Sequence, residues 1–162
     1  MKQKLCVAAL AGVLVVTFAA PSTFAESLSG KNTAFFQTDA LAIIPGDSSE
    51  TFSATILKGK PKRVLTLTAT MLADAMPPNQ VQAWVNGVQM SGCGTGVNTC
   101  FLDVTSIYHN NTAMWWLDLD EAEAANPGVF KGQPLSVDLE IWNGAPFDLY
   151  VYVTMTARME KK

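Results

Sequence analysis

Three stretches of the chain alternate between apolar and polar residues with a period of two, a pattern that a helix cannot bury on one face. In "RVLTLTATM", Leu65, Leu67, Ala69 and Met71 alternate with Val64, Thr66, Thr68 and Thr70. In "LSVDLEIW", Leu135, Val137, Leu139 and Ile141 alternate with Ser136, Asp138, Glu140 and Trp142. In "LYVYVTMTAR", Leu149, Val151, Val153, Met155 and Ala157 alternate with Tyr150, Tyr152, Thr154, Thr156 and Arg158. Each reads as a strand with one buried and one wetted face, and together they imply antiparallel sheets packed as a sandwich.

Shorter runs at Thr33–Gln37, Ala40–Ile44, Thr51–Leu57, Val81–Val85, Val88–Ser91, Cys100–Thr105 and Ala113–Leu119 read as further strands. In "VQAWVNGVQM" the Asn86-Gly87 pair between apolar runs predicts a two-residue type I′ hairpin, with Val85 opposite Val88 and Ala83 opposite Met90. Only "DEAEAAN", Asp120–Asn126, reads as a helix. Its acids favour a first turn, and Asn126-Pro127-Gly128 ends it. The expected fold is all-β: a single antiparallel β-sandwich, jelly-roll-like or immunoglobulin-like, with one short helix in a crossover.

The N-terminus has the order of a secretory signal: Lys2 and Lys4, then the apolar run "LCVAALAGVLVVTFAA", then small residues before a cut after Ala25. About 16 apolar residues are too few for a membrane span of roughly 20, and nothing later in the chain comes close. The expected organisation is a signal peptide at 1–25 and a β-sandwich domain at 26–162, secreted or periplasmic. Without Lys2 and Lys4 the 11 basic residues fall to 9 against 14 acids, a net charge of −5. That balance argues against nucleic acid as a partner, since binding it requires clustered cations on phosphates. The one basic cluster, "KGKPKR" at Lys58–Arg63, reads as a solvated hairpin loop.

Export also decides how the cysteines are read. Cys6 leaves with the signal, so Cys93 and Cys100 are the two that remain, in the loop "SGCGTGVNTC". In an oxidising compartment they read as a disulfide, worth about 2 to 3 kcal/mol for so short a loop. Zinc would need about four ligands, and His109 is the only histidine. A redox pair would have two intervening residues, not six.

No catalytic motif accompanies His109, which lies in the polar turn "SIYHNNTA". The densest acidic run, "WWLDLDEAE", offers Asp118, Asp120, Glu121 and Glu123 as candidate calcium ligands, against the plainer reading that Asp120 caps the helix and the glutamates favour its N-terminus. Trp84, Trp116, Trp142, Tyr150 and Tyr152 fall at outward positions of their strands and are the candidate ligand-binding residues. Aromatic rings beside acids and amides on an open sheet suit the apolar face and the hydroxyls of a sugar. The first mature segment, "ESLSGKNTAFFQTDALAIIPG", reads as an edge strand of its own sheet or as a strand added to a neighbour's. The function expected is therefore that of an exported, non-catalytic surface structural or interaction module, with a protein partner or self-association through sheet edges. Carbohydrate binding is the alternative and a small hydrolase a third possibility. No cofactor is implied, calcium apart.

Overall fold

The computed structural model describes residues 25–60, 63–74, 79–92, 100–101 and 110–162. Most of the segment read as a signal peptide, up to Phe24, lies outside these residues, as do Cys93 and His109. Twelve strands and one helix are described, in the order β1 (Ala25–Ser29), β2 (Thr33–Thr38), β3 (Ala42–Ile44), β4 (Ser48–Ile56), β5 (Arg63–Asp74), β6 (Asn79–Val85), β7 (Val88–Gln89), β8 (Ser91–Gly92), β9 (Cys100–Phe101), β10 (Asn110–Asp118), α1 (Leu119–Ala125), β11 (Leu135–Asn143) and β12 (Leu149–Lys161).

The strands form two antiparallel sheets. The first runs β1-β2-β12-β5-β10-β8, with β3 also on β12; the second runs β4-β11-β6-β7, with β9 also on β6. The all-β sandwich expected from the alternation is the fold found. Its interior holds the residues the pattern assigned to it: Leu65, Leu67, Ala69 and Met71 from β5, Leu135, Val137, Leu139 and Ile141 from β11, and Leu149, Val151, Val153, Met155 and Ala157 from β12 are all buried. Burying each large side chain contributes about 1.5–3 kcal/mol. The two sheets meet at their β1 and β4 ends through Phe36 and Phe52, whose rings tilt at 53° with centroids 5.8 Å apart.

Two buried polar side chains hold the places where strand pairing is interrupted. β12 pairs with β2 over Thr154–Arg158 and with β3 over Leu149–Val151. Near the changeover Thr38 Oγ1 accepts the Val153 N–H at 3.1 Å, giving that buried donor the partner it needs. Asn143, wholly buried, donates from Nδ2 to the carbonyls of Ile44 (3.0 Å), Pro45 (3.2 Å) and Phe147 (2.8 Å), and its Oδ1 accepts the Ala145 N–H at 3.0 Å.

The Asn86-Gly87 hairpin forms as expected. Both residues have positive φ, 48° and 80°, Val85 pairs with Val88, and the Met90 N–H reaches the Ala83 carbonyl. Other details differ from the sequence reading. Residues Ala25–Ser29 form a strand of their own, β1, which turns back on β2 at the edge of the first sheet. The basic segment expected as a hairpin loop does not join two neighbouring strands, because β4 and β5 belong to different sheets. The helix begins one residue early, at Leu119, and its N-cap is Asp118 rather than Asp120.

Candidate functional site

The five outward aromatics do not share a surface. Trp116, Tyr150 and Tyr152 belong to the outer face of the first sheet and are spread over it. Trp116 pairs with Thr66 and Ser91, while Tyr152 pairs with Leu72, and Tyr150 lies beside Ile43 at the far end. The centre of that face is threonine: Thr68 opposite Thr156, Thr70 opposite Thr154, and the Thr70 and Thr112 hydroxyls hydrogen-bonded at 3.2 Å. Apolar side chains stand around it, with Met114 at 55% and Trp116 at 44% exposure.

Trp84 and Trp142 are brought together with polar partners on the outer face of the second sheet. Strand register sets this face out as three rows across β4, β11 and β6. The first is Ser53, Asp138 and Trp84, extended by Gln89 of β7; the second is Thr51, Glu140 and Gln82; the third is Ser49, Trp142 and Gln80. The buried alternates Ala83, Leu139 and Ile141 hold these side chains outward from below. Asp138 Oδ1 accepts the hydroxyls of Ser53 at 2.7 Å and Ser136 at 2.8 Å, which fixes its carboxylate upright. Gln89 Nε2 donates to Gln82 Oε1 at 2.9 Å and orients that amide. Trp142 is 36% exposed, so part of its ring face is open to a ligand. The face is thus a grid of carboxylates, amides and hydroxyls with one indole on β6 in the first row and the other on β11 in the third.

The acidic run at the helix is committed elsewhere. Asp118 Oδ1 accepts the backbone N–H groups of Asp120 and Glu121, and its Oδ2 meets Lys162 Nζ at 2.5 Å. That lysine holds the Asp118 carboxyl below its ordinary value, helped by the two backbone donors, and Asp118 in turn raises the lysine. Asp120 lies 3.7 Å from the same ammonium. Glu123 turns away to the loop after the helix, where its carboxylate accepts the N–H groups of Gly128 (2.6 Å), Phe130 (2.8 Å) and Lys131 (3.1 Å). These donors, led by Gly128, lower its pKa. Because the strand ends at Asp118, that residue and Asp120 do not leave one strand face together. Among the described residues no group of three or more His, Cys, Asp or Glu is placed to hold a metal ion.

Sequence reasoning named Trp84 and Trp142 and put Asp138 and Glu140 on the strand face of Trp142, but it did not say which amides join them. Gln80, Gln82 and Gln89 became part of the site only once β6 was paired with β11 and β7; the period of two in "NQVQAWV" was the signal that placed Gln80, Gln82 and Trp84 on one face. The described end of Cys100's segment, β9, pairs with β6 in the second sheet, whereas Gly92, the residue before Cys93, ends β8 in the first. No protein-family model matches the chain, and comparison with curated proteins found none similar to it.

Proposed function

We propose that this chain is an exported, non-catalytic binding module whose outer face on the second sheet recognises carbohydrate. The observation that carries this reading is the common placement of Trp84 and Trp142 with Asp138, Glu140, Gln80 and Gln82 on one outward, partly exposed face of the sheet. Indole faces offer stacking to the apolar side of a sugar ring, and fixed carboxylates and amides offer hydrogen bonds to its hydroxyls. A hydrolase would need two carboxyls flanking the scissile bond. Asp138 and Glu140 rise from one strand, two residues apart, and so approach a chain laid over them from the same side.

The test is binding of the mature domain to a glycan array, followed by titration of whatever it retains. Trp142→Ala is expected to weaken binding about tenfold or more, as loss of a central aromatic anchor does. Its stability should move by about 0.5 kcal/mol or less, as for an exposed change. Unchanged glycan binding, or release of reducing ends from the bound sugar, would overturn the proposal. A protein-interaction role is the second reading, favoured by the first sheet's exposed Met114, Trp116 and Tyr150 and by Leu28, 58% exposed on edge strand β1. Light scattering of the purified domain separates the two, since self-association through that edge or face gives a species larger than the monomer.

A further inference from the structure

The two indoles of the second sheet are not neighbours, and their separation limits what can use both. Trp84 stands opposite Asp138, and Trp142 lies four residues further along β11. Four residues at about 3.3 Å each and one interstrand step of about 4.8 Å place them about 14 Å apart. A single sugar ring does not cover that distance, whereas a chain of rings laid diagonally across the grid does. Glu140 and Gln82 occupy the row between the two indoles, beneath the middle of such a chain.

Charge narrows the ligand further. The described strands of this sheet supply Asp138 and Glu140 to the face and contain no lysine or arginine: β4 reads SSETFSATI, β11 LSVDLEIWN, β6 NQVQAWV and β7 VQ. Among the described residues the cations lie off these strands, on β5 and β12 of the other sheet (Arg63, Arg158 and Lys161), in the connecting segments (Lys31, Lys58, Lys60 and Lys131) and at Lys162. A uronate chain would bring carboxylates against two carboxylates with no cation between them, an arrangement that disfavours the complex. A protonated amine on the sugar would instead form charge-assisted bonds, about twice as strong as neutral ones, and would be attracted to the indole faces.

Building on the platform reading, we infer that the preferred ligand is a linear amino-sugar oligosaccharide with free amines, long enough to lie across Trp84 and Trp142 together. The experiment is calorimetric titration of the mature domain with a series of glucosamine oligomers, their N-acetylated counterparts and oligogalacturonates. Affinity for the amine series is expected to rise about tenfold or more between the monomer and chains long enough to reach the second anchor. It is expected to weaken with salt, to fall on acetylation and to be lost with the uronates. Glu140→Gln should reduce the preference for amines over acetylated chains while binding of the acetylated chains persists. Monomer affinity equal to that of long chains, or acetylated or uronate chains bound as tightly as amines, would overturn the inference and leave a glycan platform of another specificity. Absence of binding to every chain, with the domain folded by circular dichroism, would remove the platform reading itself and this inference with it. Because the ligand series decides the outcome on the unmodified domain, a misfolded variant does not rescue the proposal.

Discussion

Asn143 is the residue whose loss should be felt most widely for its size. It is fully buried and ties three carbonyls and one N–H from the ends of β3 and β11 and the turn before β12. Asn143→Ala leaves these groups without that partner in a place water does not reach freely. A loss of about 3 kcal/mol is expected in denaturant unfolding, since each buried group left unsatisfied costs about 1–3 kcal/mol. Glu123 governs a pH effect. Its folded pKa lies below its ordinary 4.5, so the stability it contributes is complete above that value and is lost as pH falls through the folded value. Asp118 acts in the same sense from 3.8. Lys162, raised above 10.5, contributes below that value and loses the contribution as pH rises through its folded pKa. Melting temperature measured against pH should therefore drop in the acid range, and Glu123→Gln should lie lower at neutral pH with a flatter acid limb. Identical acid limbs for the two proteins would refute the assignment.

At the scale of elements, long strands were legible and junctions were not. The alternation in β5, β11 and β12 needs no partner to be read, because a wetted face and a buried face declare themselves residue by residue. β1 escaped because "AESLS" has too little apolar content to signal a strand; its pairing with β2 supplies the reason it is extended. The helix start was misplaced by one residue because both Asp118 and Asp120 have the chemistry of a cap, and only the backbone donors at 3.0 and 3.3 Å choose between them. Of the candidate site, the outward aromatics were legible, but their division between two sheets depends on strand order, which periodicity does not encode. The Asn86 hairpin shows a second layer that sequence concealed. Beyond its positive φ, Asn86 donates Nδ2 to the Val129 and Pro134 carbonyls and accepts the Ser136 N–H, joining the turn to the segment that leads into β11. Asn86→Gly keeps the turn and removes those bonds, so a loss of about 1–3 kcal/mol is expected in chemical unfolding. Phe36→Ala, which empties the contact with Phe52 between the sheets, is expected to cost about 3–5 kcal/mol. Phe35, on the outer face of β2 and only partly buried, should tolerate the same change better.

For the whole molecule, the strands on either side of the cysteine loop belong to different layers. A bond between Cys93 and Cys100 would link the segment that follows Gly92 in the first sheet to β9 in the second, tying the two layers together. Thiol titration of denatured protein made in an oxidising compartment should find no free thiol in the mature domain, and reduction should lower its unfolding midpoint. Two reactive thiols would contradict the disulfide. The position of β12 has a consequence in time. It lies between β2 and β5 in the first sheet, with Thr33 beside Arg158 and Leu65 beside Met159, yet it is synthesised after every strand it joins. Until its residues emerge, β2 and β5 have no strand to join them, so the nascent chain cannot close its first sheet however long it waits. Such distant pairings also fold slowly once synthesis ends. A chain held open in this way until β12 appears stays threadable, which is what the proposed export would require.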